Sequence, residues 1–169
     1  MSSWKSGNPV DLSTVFPEAI DMSEHKTTLE WKRGDQGFGY KEYPRAHQWT
    51  FPRSAQTLRV SAAPDYLGEA DCADPEEAFS AALTSCHMLT FLAIASMSGF
   101  IVDSYTDNSI GHLAKADDGK PWLAKLEMHP EIVFSGEKQP TPEQVETLHE
   151  KAHHECFLAR SVKTEITWG

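Results

Sequence analysis

Several chemistries are missing from this chain. It has no glycine-rich phosphate loop, no G-x-S-x-G elbow and no Ser-His-Asp signature, which sets aside P-loop nucleotide binding and serine-hydrolase chemistry. Positive charge is scarce. Fifteen Lys and Arg stand against 25 Asp and Glu, a net charge of −10 with no basic stripe, so nucleic acid and anionic membrane are excluded as expected partners. Cysteine is sparse too: Cys72, Cys86 and Cys156 are an odd set, too few for a disulfide framework. The opening stretch MSSWKSGNPVDLSTVF carries no apolar run of signal-peptide length, and a cytoplasmic location is expected. No internal repeat or low-complexity tract occurs.

What is present is globular. The 169 residues are 40% hydrophobic and 24% charged, enough for one domain with a core. Residues 1–25 show no clear period and read as an N-terminal arm, leaving 26–169 as a single domain. KTTLEWKR and GFGYKEY read as strands across the turn signal RGDQG, and HQWTF and TLRVSA continue the strand texture. At Asp74 the texture changes. Asp74 as cap, Pro75 in the first turn, and Glu76 and Glu77 at the positive end of the dipole start a helix. Glu77 is placed to close a capping box with Asp74, and Gly99 ends the helix. FIVDSYTDNSIGHL and WLAKLEMHPEIVF then read as two long strands. Thr141, Pro142 and Gln144 start a second helix with the same grammar, and SVKTEITW closes the chain as a strand. Runs of strands with isolated helices define an α+β fold with two main helices.

The first helix is apolar almost all round from Ala78 to Ala95. In a soluble protein such a helix is central. A domain of this size has difficulty wrapping it, which points to a partner subunit. A membrane span is the weaker alternative, since Ser80, Thr84, Ser85, His87 and Thr90 interrupt the run.

Cys86 sits in the middle of that helix, in LTSCHMLTF. Three roles are open to it: a small buried hydrophobe, a metal ligand or a nucleophile. Cys156 ends the second helix in HHEC, with His153 one turn earlier on the same face. Cys86, His87, His153 and Cys156 are four plausible zinc ligands, but adjacent residues on a helix point about 100° apart, which works against a shared metal. No metal or cofactor is expected. Cys72 lies in a polar loop with no partner motif, and His47, His112 and His129 carry no spacing signal.

The segment DPEEAFSAALTSCHMLTFLAIASMSGFIVDSY, together with HHECFLARSVKTEITW, resembles the OsmC/Ohr family, the osmotically inducible and organic-hydroperoxide-resistance proteins. The most specific feature is a Pro-Glu pair, an apolar stretch and then a cysteine in the central helix. The resemblance implies antiparallel sheets enclosing the helices of an intertwined homodimer, and a thiol peroxidase acting on organic hydroperoxides. It makes Cys86 the peroxidatic thiol and Cys156 the resolving one, with a dithiol, often a lipoyl protein, as reductant. Glu76 matches the family glutamate. At about 15 Å along the helix from Cys86, it acts only by gripping a longer cation.

That cation should be an arginine, whose charge does not titrate. Residues 62–73 hold none, and Arg45 in YPRAH fits best, ahead of Arg53 and Arg59. The missing arginine, and Phe157 where many family members have proline, mark a divergent branch. The competing reading is a non-catalytic small-ligand or metal-binding protein on the same fold.

Overall fold

A computed structural model describes residues 23–169, and the expected arm over residues 1–25 lies largely outside them. The described chain packs as two compact units, one ending at Phe79 and the other running Ser80–Gly169.

In the N-terminal unit, β1 (Thr28–Glu30), β2 (His47–Phe51) and β3 (Gln56–Val60) form an antiparallel sheet in the order β1-β2-β3. Trp49 faces Leu58 and Gln48 faces Arg59 across the β2–β3 pair. The expected strand over 37–43 does not form. Glu42 closes a local turn instead, accepting from Gly39 N at 2.8 Å while its own amide donates to Gly39 O at 2.9 Å. The indole of Trp31 donates to Pro44 O at 2.7 Å, and the rings of Trp31, Phe38 and Tyr43 cluster around the turn. Local hydrogen bonds and ring contacts thus replace the ladder that the alternating pattern suggested.

Helix α1 spans Pro75–Met97 and begins as its sequence requires. Glu77 N donates to Asp74 Oδ1 at 2.8 Å and Asp74 N to Glu77 Oε2 at 3.1 Å, so two orphan amides are satisfied reciprocally. Gly99 ends the helix at φ +75°, and Phe100 N returns to Ala95 O at 3.0 Å. Helix α2 spans Pro142–Glu155 behind a complete Thr141–Gln144 capping box, with Cys156 as its C-cap.

The two long strands each break. β4 (Ile101–Asp107) pairs with β7 (Pro130–Ser135), while β5 (Ile110–Lys115) pairs with β6 (Pro121–Met128), both antiparallel. At the break the Asp107 carboxylate takes the His129 amide at 2.9 Å, a bond the ladder does not supply there. β8 (Glu165–Trp168) lies parallel beside β6, the one departure from the antiparallel sheets expected. Gly111 on β5 lets Ser80 of α1 approach closely: a Cβ there would stand 2.5 Å from Ser80 Oγ, so that side chain would have to move.

Two clusters form the core of the C-terminal unit. Phe91, Ile94, Ala95 and Phe100 pack with Leu148 and Ala152 of α2 and with Val102, Tyr105, Ile132 and Phe134. Leu83, Leu126 and Met128 pack with Val162, Ile166 and Trp168. α1 has the length and hydropathy of a membrane span, but Leu83, His87, Phe91, Ile94 and Ala95 on one of its faces are buried within the protein, as in a core helix. Its opposite face is not covered: Ala82 and Ser85 are exposed, and Leu89 is 60% exposed.

Candidate active site

Helix α1 carries Cys86 at mid-length and α2 delivers Cys156 at its end. The two sulfurs lie 2.7 Å apart, the Cys156 thiol donating toward Cys86, and both cysteines are free. Cys156 is 1% exposed, whereas Cys86 is only partly buried. The chain turns sharply after Cys156, so that Ala159 N donates to its sulfur at 3.4 Å and Arg160 N to its carbonyl at 3.1 Å. Burial, followed by the neighbouring Cys86, pushes the Cys156 thiol up to about 11. At pH 7 Cys156 is therefore a protonated sulfur facing a more accessible one.

Beside the thiols lies a histidine cluster that spacing alone did not reveal. His87 and His149 are buried, and His87 Nε2 meets His149 Nδ1 at 3.0 Å. Trp168 of β8 covers both rings and that of His153, at centroid distances of 5.6, 5.8 and 5.5 Å. The Trp168 indole is in turn held by Glu146 Oε1 at 3.1 Å. Burial, and then the nearby His149 and His153, lowers His87 to about 3, and burial also lowers His149. Each is a neutral imidazole at pH 7.

The four-ligand zinc arrangement does not form. His87 is turned toward α2, away from a shared centre with Cys86. Among the described residues, only Glu69, Asp71 and Cys72 bring three metal-type donors within 4.8 Å of one another. A cation already occupies that place: Arg59 donates to Cys72 Sγ at 2.8 Å and pairs with Glu69. Cys72 therefore has a partner that its polar loop did not disclose, and Arg59 is engaged there.

Arg45 and Glu76 belong to the N-terminal unit. Arg45 is partly buried, with its guanidinium 3.7 Å from the Tyr43 ring centroid and its Nη atoms donating to the carbonyls of Tyr40 and Tyr43. His47 Nδ1 lies 2.9 Å from Arg45 O, and Trp49 donates to His47 Nε2 at 2.9 Å, so the backbone at Arg45 is tied to β2. Glu76 lies half-buried in the first turn of α1.

The fold and the site define an α+β protein whose two helices bring a buried and a partly buried thiol together. Residues 68–169 match the family model described as OsmC-like protein. An OsmC-like protein of unknown function from Vibrio cholerae is 44% identical, with a TM-score of 0.83 over 88% of this chain and 99% of that one. The chain belongs to the OsmC-like family. Two more distant structures share the fold. The organic hydroperoxide resistance protein OsmC of Legionella pneumophila has 16% identity and a TM-score of 0.60, over 87% of this chain and 98% of that one. The organic hydroperoxide resistance protein OhrB of Bacillus subtilis has 17% identity and a TM-score of 0.59, over the same shares of 87% and 98%. A comparison with curated protein sequences returns no match.

Proposed function

We propose that the protein is a thiol peroxidase that reduces organic hydroperoxides. The observation that carries this reading is the approach of the Cys86 and Cys156 sulfurs to 2.7 Å, one partly buried and one buried. The Cys86 thiolate attacks the terminal peroxide oxygen. A sulfur–oxygen bond forms, the O–O bond breaks, and the alkoxide takes a proton and leaves as the alcohol. Cys86 is then a sulfenic acid. Cys156 attacks it, the disulfide forms, and the oxygen leaves as water. A dithiol, with a lipoyl protein as the candidate, reopens the bridge by exchange.

Arg45 is assigned the fixed positive charge that favours the thiolate, and Glu76 the carboxylate that orients it. Residues 26–169 are read as one working domain, active as a cytoplasmic homodimer in which a second chain covers the bare face of α1 around Leu89. Support for the substrate class comes from the two hydroperoxide-resistance proteins that share the fold.

The test is single-turnover mixing of reduced protein with cumene hydroperoxide. Stoichiometric alcohol, loss of two thiols per chain and turnover on adding a dithiol are expected. Unchanged thiols, or stoichiometric zinc in the purified protein with no thiol loss on peroxide, would sink the reading.

A further inference from the structure

The resolving step has a proton problem. The sulfur that must attack is Cys156, which burial keeps protonated, with its thiol near 11. At neutral pH nearly all of it carries its proton, so prompt attack on an oxidised Cys86 requires a base close by.

Candidate bases lie on three elements. On α1 there is His87, whose Nδ1 is also buried without a partner but whose Nε2 is engaged with His149 and whose ring is enclosed by Trp168, so that burial keeps it from taking a proton until about pH 3. On β8 there is Trp168, which offers only an indole N–H, already given to Glu146. On α2, Glu146 is thus engaged, His149 Nδ1 is paired with His87, and the exposed His154 pairs with Glu155. Glu150 is exposed. His153 remains. Its Nδ1 is buried and has no hydrogen-bond partner among the described residues. Buried polar atoms without partners are uncommon and call for an explanation.

Position supplies one. His153 lies one helical turn before Cys156, on the same face of α2. Cys156 is the C-cap, its sulfur accepting from Ala159 N and donating toward Cys86, so the proton comes within reach of His153 only as the resting contact between the thiols is broken. Trp168 packs on the imidazole at 5.5 Å and limits its rotation. Catalytic hydrogen bonds are often long in the resting state and tighten as the reaction proceeds.

We propose that His153 is the acid–base residue of the resolving step, its Nδ1 taking the Cys156 thiol proton as that sulfur attacks oxidised Cys86. The imidazole acts as its Nε2–H tautomer. The new S–S bond forms as the Cys86 S–O bond breaks, with the electron pair leaving on oxygen. The departing hydroxide takes the proton back from His153 and leaves as water, and the imidazole returns to neutral. This assignment rests on reading Cys86 and Cys156 as the peroxidatic and resolving thiols.

The experiment avoids peroxide, so that it stands apart from the peroxidase reading. The full chain carrying Cys72→Ser, which removes the third free thiol, is reacted with one equivalent of 4,4′-dithiodipyridine, which places a thiopyridine on Cys86. Attack by Cys156 then releases a second thiopyridone, and the rate of that second release is followed from pH 6 to 9. In the parent protein it should flatten toward pH 9. In His153→Gln and His153→Phe it should be at least about tenfold slower at pH 7 and climb about tenfold per pH unit, as for a thiol that loses its proton to hydroxide. The first release should not change. His153→Phe keeps a ring against Trp168, so a slowing by the same factor at every pH would mark packing rather than proton transfer and overturn the proposal. So would an unchanged second release in either variant. A parent profile that itself climbs tenfold per unit would overturn it without any variant. If the base effect holds while the protein consumes no hydroperoxide, the peroxidase reading falls and the role of His153 in disulfide formation stands.

Discussion

His87 Nε2 and His149 Nδ1 stand 3.0 Å apart with their rings within 9° of parallel, which joins α1 to α2 one residue away from Cys86. Only one proton can lie on that line, so one imidazole donates and the other accepts, and the pair is lost once both are protonated. Phe91 on one side and Trp168 on the other keep water from the pair, which is why protonation is disfavoured.

The pair makes stability depend on acid. His87 titrates at 6.5 when unfolded and at about 3 when folded. Between those values the unfolded chain binds more protons, so stability is full above about pH 6.5 and is lost as pH falls toward 3. His149, also lowered by burial, acts in the same direction. The slope should reach at most about 1.4 kcal/mol per pH unit per histidine. Urea unfolding at pH 7, 5.5 and 4.5 measures it, and His87→Gln should flatten it. An equal slope in that variant would assign the acid sensitivity to other groups.

One equivalent of an organic hydroperoxide should join Cys86 to Cys156 within a single chain and leave Cys72 reduced. Peptide mapping under non-reducing conditions reads the bridge directly. Cys156→Ser should instead accumulate a sulfenic acid at Cys86 that dimedone traps, and Cys86→Ser should abolish thiol loss. A bridge containing Cys72 would contradict the assignment.

Arg45→Ala should slow sulfenic-acid formation on the order of tenfold or more, since a fixed charge beside a developing thiolate is a large electrostatic contribution. Arg45→Lys should recover only part of the rate. Thiol alkylation followed against pH should shift in the same variants. Because the Arg45 guanidinium also stacks on Tyr43, near-UV circular dichroism must first show that the turn over 37–43 survives. An unchanged rate and alkylation profile would move the role to Arg53, since Arg59 is held by Cys72 and Glu69.

Sedimentation at micromolar concentration should show a dimer. The face of α1 around Leu89 is apolar and open in the single chain, and a second copy is the partner expected to cover it. Leu89→Glu, which places a charge on that face, should weaken association by at least about tenfold while leaving Phe91 and Ile94 in their core. A folded, stable monomer of the parent protein would rule the dimer out.

Local chemistry was readable from the order of residues. Both capping boxes, the glycine stop at Gly99 and the strand His47–Phe51 stand where their side chains require, because each depends on neighbours within a few positions. The apolar run from Ala78 marked a central helix, and its face through Leu83, His87, Phe91 and Ile94 is buried. The family likeness set which two cysteines to watch.

Contacts across long separations were not readable, because periodicity says which face an element buries and not what it meets there. The breaks near Asp107 and His129 send each long strand into two sheets, and no alternation pattern records that exchange. Glu42 folds the segment 37–43 into a turn through one carboxylate. Arg59 reaches Cys72 across thirteen positions, and His87 reaches His149 across sixty-two. Only packing α2 onto α1 brings two thiols seventy residues apart to 2.7 Å, with an imidazole whose Nδ1 is buried one turn away from the second, and it is that apolar packing that keeps the proton of Cys156 in place.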